Sequence, residues 1–157
     1  MIIHSKKRSF GKGCNVSLFT LGTMRATKSL DKMYSLIKSA HHAGINHLET
    51  AASYGNAEIL IGKALEKLET SENIFRKGWI ITTKVLPKGD FNYLKSNFEK
   101  SLKNLKLKKI HNLAIHGINL DEHLDWVLNG EGGKFLKWLI KKGLVNQVGF
   151  SSHGSYQ

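Results

Sequence analysis

Five short apolar stretches recur along this 157-residue chain, each stopped by polar or glycine-containing residues and followed by helical periodicity. Their C-terminal ends fall near Gly22, Glu49, Lys84, His116 and Phe150, at intervals of 27, 35, 32 and 34 residues. One strand plus one crossover helix takes about that length, on the order of 30 residues. Strands joined through helices pair in parallel, with right-handed crossovers. The spacing therefore predicts an α/β fold made of repeated βα units.

The elements follow from local pattern. VSLFTLGTM (16–24) is β-like and ends at Gly22, and INHLET (45–50), WIITTKV (79–85), IHNLAIH (110–116) and VNQVGFS (145–151) supply four more strands. Between them, Leu30, Met33, Tyr34, Ile37 and Ala40 share one face of a helix over 30–43 that Ser29 can cap and Gly44 ends. A second helix is expected over about 56–68, with Leu60, Ala64, Leu65 and Leu68 as its stripe. Pro87 and Gly89 stop the third strand, and Asp90 is placed to cap a third helix carrying Phe91, Leu94, Phe98, Leu102 and Leu105. A short helix near 123–128 and a full one over 133–142 complete the pattern. Gly11 and Gly13 flank Lys12 without the lysine-hydroxyl pair of a phosphate loop, and predict a turn between two short N-terminal strands.

Composition narrows the class. The 41% hydrophobic content fits one ordinary globular domain spanning 1–157. A single cysteine, Cys14, excludes an internal disulfide and any cysteine-rich metal site, and fits a reducing, cytoplasmic setting. No targeting segment and no apolar run of membrane-spanning length is expected. The formal charge of +12 favours anionic partners, yet the lysines are spread over every expected helix, as solvated faces are, so nucleic acid is not the expected partner. KLKK (106–109) follows a helix, where lysines offset the macrodipole. His41 and His42 adjoin on a helix, and His111 and His116 converge poorly, so no metal site is expected.

Glu49, Tyr54, Lys84, His116 and Ser151 all fall at or just beyond the C-terminal ends of strands, the active face of a βα barrel. Tyrosine is a poor acid at neutral pH, with a reference pKa of about 10. An ammonium beside it, itself held by a carboxylate, favours the phenolate and eases proton donation, and a nearby histidine can orient a carbonyl oxygen. Each residue has a plainer role open to it: Tyr54 as packing, Glu49 as a turn cap, Lys84 as a surface lysine at an edge strand.

These residues carry a resemblance. LETAASYGNAEILIGKAL, TTK at 82–84, SLKNLKLKKIHNLAIH at 101–116 and KKGLVNQVGFSSH at 141–153 resemble, in order, the motifs of the N-terminal part of an aldo-keto reductase. IHGINLDEHLDWVLNGEGG and GFSSHG are most similar to the branch whose full-length members often carry a C-terminal ferredoxin-like segment. The resemblance implies a (β/α)8 barrel that moves a hydride between NADP(H) and a small carbonyl or alcohol. In it Tyr54 would donate the proton, Lys84 would tune it, His116 would orient the carbonyl, and Glu49 would stand where the family usually has aspartate. Gly22, Thr23 and Met24 would lie against cofactor or substrate, and Ser151 and Ser152 would face the nicotinamide amide.

A complete barrel of this type takes roughly 250 residues. Five strands therefore imply a partial barrel, truncated before the last three βα units, which in the family supply much of the adenosine and 2′-phosphate site. Such a sheet exposes two edges and its inward side chains. The expectation is a chain that folds poorly alone, self-associates, or needs a partner that completes the barrel. A non-catalytic remnant of such an enzyme, and a basic anion or nucleic-acid binder, are the competing functions.

Overall fold

Two glycines in left-handed conformations, Gly11 at φ 63° and Gly13 at φ 77°, turn the chain between β1 (Lys7–Ser9) and β2 (Asn15–Ser17), which pair antiparallel. The turn expected there forms, with Lys12 itself outside the described residues; the computed structural model describes residues 6–11, 13–26 and 28–154. Five strands then form one parallel sheet in chain order: β3 (Leu21–Gly22), β4 (His47–Glu49), β5 (Ile80–Val85), β6 (Ile110–His116) and β7 (Val145–Ser151). The last two strands match the sequence pattern residue for residue. VSLFTLGTM does not form one strand: Val16 and Ser17 belong to the hairpin, and only Leu21–Gly22 joins the sheet.

Side-chain alternation along the strands separates two faces. Leu48, Ile81, Val85, Leu113 and Ile115 join the apolar core with Met33, Ile37, Leu65, Phe98 and Phe135. These come from the flanking helices α1 (Leu30–His42), α2 (Ala57–Ser71), α3 (Phe91–Leu105) and α5 (Glu131–Lys141), with the short α4 (Asp121–Leu128) before α5. Residues of the other parity, His47, Glu49, Thr82, Lys84, Asn112, Ala114, Gln147, Gly149 and Ser151, line an open trough of about 580 Å³ with the hairpin.

The caps form as the sequence suggests: Ser29 Oγ accepts from Lys32 N at 3.2 Å, and Asp90 Oδ1 from Tyr93 N at 2.8 Å. Where α2 crosses α3, Gly62 is required by space, because a Cβ there would lie 2.2 Å from the backbone oxygen of Asn104. The hairpin sits at the end where the strands begin: Ser17 N donates to Asn46 Oδ1 at 2.7 Å, and Asn46 N returns a bond to Ser17 Oγ at 3.1 Å.

Among the described residues the sheet does not close on itself: β3 and β7 each have a single neighbour there, and Phe150 on β7 is 71% exposed. No helix among the described residues is long and apolar enough to cross a membrane.

Candidate active site

The turn after β4 delivers Tyr54 over the end of β5. Thr50 N and Ala52 N continue the parallel ladder by donating to Thr82 O (2.9 Å) and Lys84 O (3.0 Å). Tyr54 N then donates to Ala51 O at 3.0 Å, and Gly55 takes φ 57°, a value that favours glycine, before α2 begins.

Beneath that turn Lys84 is only 4% exposed, and its ammonium has a full set of acceptors. Nζ donates to Glu49 Oε1 at 2.8 Å, to Thr50 O at 3.2 Å and to Tyr54 Oη at 3.3 Å, and lies 4.9 Å from the centroid of the Tyr54 ring. Charge this deep is retained only where the counter-charge and hydrogen bonds replace water. Glu49 keeps its own contact with solvent, with the side chain 39% exposed.

His116 meets Tyr54 edge to face, ring centroids 5.6 Å apart, with its Nδ1 3.2 Å from Ser53 Oγ. Burial, and next the positive charge of Lys84, hold this imidazole below the usual histidine range, against an opposing pull from Glu49. It is therefore neutral at pH 7, with one ring nitrogen a donor and the other an acceptor.

The flanking residues divide. Gly22 pairs with Glu49 in register, with open space where a side chain would stand. Thr23 is buried, its backbone N and its hydroxyl both donating to Glu49 O at 3.1 and 3.0 Å. Met24 is exposed. Ser151 pairs with His116, its Oγ accepting from Gly117 N at 3.2 Å, while Ser152 Oγ donates to Asn119 Oδ1 at 3.3 Å. The fold thus links Glu49, Lys84, Tyr54 and His116 in one chain of contacts and sets Gly22, Thr23 and Ser151 on the same rim.

Several polar residues at the site were not singled out from sequence. Ser53 touches His116. Lower in the trough, His47 lies between Thr20 Oγ1 and Thr82 Oγ1, both at 2.8 Å, and Asn112 Nδ2 donates to Thr82 at 3.2 Å. The signal was parity: His47 shares a face with Glu49, as Thr82 does with Lys84. Glu58, which falls within the stretch LETAASYGNAEILIGKAL, lies on the helix side of the sheet, accepting from Thr83 Oγ1 at 2.7 Å and Asn104 Nδ2 at 3.2 Å.

The model of the aldo/keto reductase family matches residues 18–157. The chain belongs to that family. It is 26% identical over 161 aligned residues to YqkF of Bacillus subtilis, an uncharacterised oxidoreductase, covering 94% of this chain and 49% of that protein. An aldo-keto reductase structure from Pseudomonas aeruginosa superposes with a TM-score of 0.80 at 28% identity, covering 96% of this chain and 61% of that one. At 21% identity and a TM-score of 0.74, the Bombyx mori aldo-keto reductase in complex with NADP shares the fold over 94% of this chain and 50% of its own. The five-stranded sheet is thus part of a (β/α)8 barrel, and the chain spans about half the length of its B. subtilis relative.

Proposed function

We propose that this oxidoreductase chain carries the catalytic face of an NADPH-linked carbonyl reductase, with Tyr54 as the proton donor to the carbonyl oxygen. The observation that carries this reading is the position of Lys84 Nζ, shared between Glu49 Oε1 at 2.8 Å and Tyr54 Oη at 3.3 Å.

When bound, NADPH supplies a hydride to the carbonyl carbon. This chain's residues do the rest. Tyr54 gives its hydroxyl proton to the developing alkoxide, and the adjacent ammonium stabilises the phenolate left behind, as a fixed charge in a dry site does most effectively. Glu49 holds the ammonium in place. In the tautomer whose Nδ1 accepts from Ser53 Oγ, His116 carries its proton on Nε2 and hydrogen-bonds the carbonyl oxygen there, fixing orientation. The nicotinamide end fits the residues present: Gly22, Thr23 and Met24 would flank it on one side, with nothing filling the space over Gly22. Ser151 and Ser152 would meet its amide on the other, Ser151 accepting from Gly117 N and keeping its own proton to give. Residues 1–157 act in this reading as one domain, in a reducing cytoplasmic setting.

A titration with NADPH followed by nucleotide fluorescence tests the proposal, with Tyr54→Phe beside the unaltered chain. Both are expected to bind saturably, and only the chain with Tyr54 to reduce an aldehyde. A folded chain that binds no NADPH at any chain concentration would overturn it.

A second reading is favoured by the open sheet: catalysis requires another chain, a second copy or a partner, to complete the barrel. Free edges on β3 and β7 and the exposed Phe150 support it. Activity that rises more steeply than chain concentration would distinguish it from the first.

A further inference from the structure

Beside the tetrad, on the same rim, a second cavity of about 410 Å³ is lined by Leu86, Pro87, Lys88, His116, Gly117, Asn119, His123 and His153. Its side-chain acceptors at His123 and Asn119 are already engaged. Asn119 N donates to His123 Nδ1 at 3.3 Å, so the proton of a neutral His123 sits on Nε2, as a donor. Asn119 Oδ1 is taken up by His153 N at 2.8 Å and by Ser152 Oγ, which leaves the Asn119 amide protons uncommitted among the described residues. Lys88 Nζ has no hydrogen-bond or ion-pair partner among them either, and no carboxylate lines the cavity. Leu86 and Pro87 add an apolar wall to the same cavity.

We propose that this cavity is an anion subsite: it holds the carboxylate of an aldehyde or ketone whose carbonyl oxygen lies at His116 and Tyr54. The inference rests on the reading of those two residues as the carbonyl site and adds the substrate class. A carboxylate accepts up to four hydrogen bonds and donates none when ionised, which matches a lining that offers the Lys88 ammonium and the Asn119 amide protons and holds no carboxylate. A charge-assisted hydrogen bond from Lys88 or the Asn119 amide discriminates such a group from a neutral amide of equal shape. The apolar wall suits the short linking carbons.

The test uses 4-carboxybenzaldehyde and its neutral counterpart 4-formylbenzamide, titrated into the full chain without cofactor while the histidine imidazole resonances are followed. The acid is expected to bind about tenfold tighter than the amide, shifting His116, His123 and His153, since hydrogen bonds to charged groups exceed neutral ones by about that factor. Lys88 is exposed, so Lys88→Glu is expected to preserve the fold and to abolish the preference for the acid. Equal affinities, no binding of either probe, or a preference that survives Lys88→Glu would overturn the subsite. NADPH oxidation with both aldehydes, repeated with Tyr54→Phe, separates the two claims. Tyr54-dependent turnover with equal acid and amide affinities sinks the subsite alone, whereas acid preference without turnover sinks the reductase reading alone.

Discussion

Lys84 reaches Glu49 diagonally across the sheet. The register sets Glu49 opposite Thr82, two residues before Lys84, and still Nζ and Oε1 are 2.8 Å apart. Two residues advance a strand by about 6.6 Å, so the contact is made by side chains converging inside the trough. The additional methylene of glutamate, where the resembled motif has aspartate, is accommodated without loss of the ion pair.

Replacing Lys84 by methionine tests what that ion pair does. Methionine fills the same volume, and Glu49 retains solvent contact, so the melting temperature is expected to change by only a few degrees. Turnover with NADPH and an aldehyde is expected to fall on the order of 10²–10⁴-fold, the span typical of assisted proton transfer. Retained turnover would reject the role given to Lys84.

Stability is expected to decline on acidification. Burial is the leading cause holding His47, His111 and His116 below the ordinary value of 6.5. The unfolded chain takes up these protons first, so stability is complete above pH 6.5 and is lost as pH falls through the lower folded values. Thermal melts between pH 7.5 and pH 5.5, taken as about one unit either side of the histidine reference, should show a falling midpoint. His47→Gln should flatten that slope, and an unchanged slope would remove His47 from the explanation.

Gly62 tests the packing of α2 against α3. Alanine there drives a methyl group into a backbone oxygen of a buried crossing, and overpacking of this kind costs about 1–3 kcal/mol. Urea unfolding of Gly62→Ala should show the loss at an unchanged slope.

The open edge predicts association. Sedimentation of the chain should reveal concentration-dependent assembly, and Phe150→Lys on the exposed face of β7 should weaken it. A sharp monomer at all concentrations would contradict the need for a completing chain.

Much of this architecture was legible because a βα unit writes two periods into the sequence. IHNLAIH and VNQVGFS each became a strand with the expected limits, and Ser29 and Asp90 cap the helices they precede. VSLFTLGTM misled because its apolar run serves two sheets: Ser17 turns to Asn46 across the trough end, so the chain leaves the hairpin before β3 begins. Within the candidate site, residue type and strand position pointed to Glu49, Tyr54, Lys84 and His116, which the fold brings together. Ser53 and the His47–Thr82–Asn112 chain escaped because their partners lie on other strands and turns, and local sequence does not record which hydroxyl faces which ring.

The central claim is proton donation by Tyr54 in NADPH-linked carbonyl reduction. The most direct measurement is the rate of NADPH oxidation by an aldehyde in the presence of the full chain and of Tyr54→Phe, over a range of chain concentrations with folding checked by circular dichroism. Turnover by the unaltered chain that falls at least a hundredfold in a folded Tyr54→Phe chain, within the range general acids contribute, is the predicted result. Equal rates from the two folded chains would contradict it.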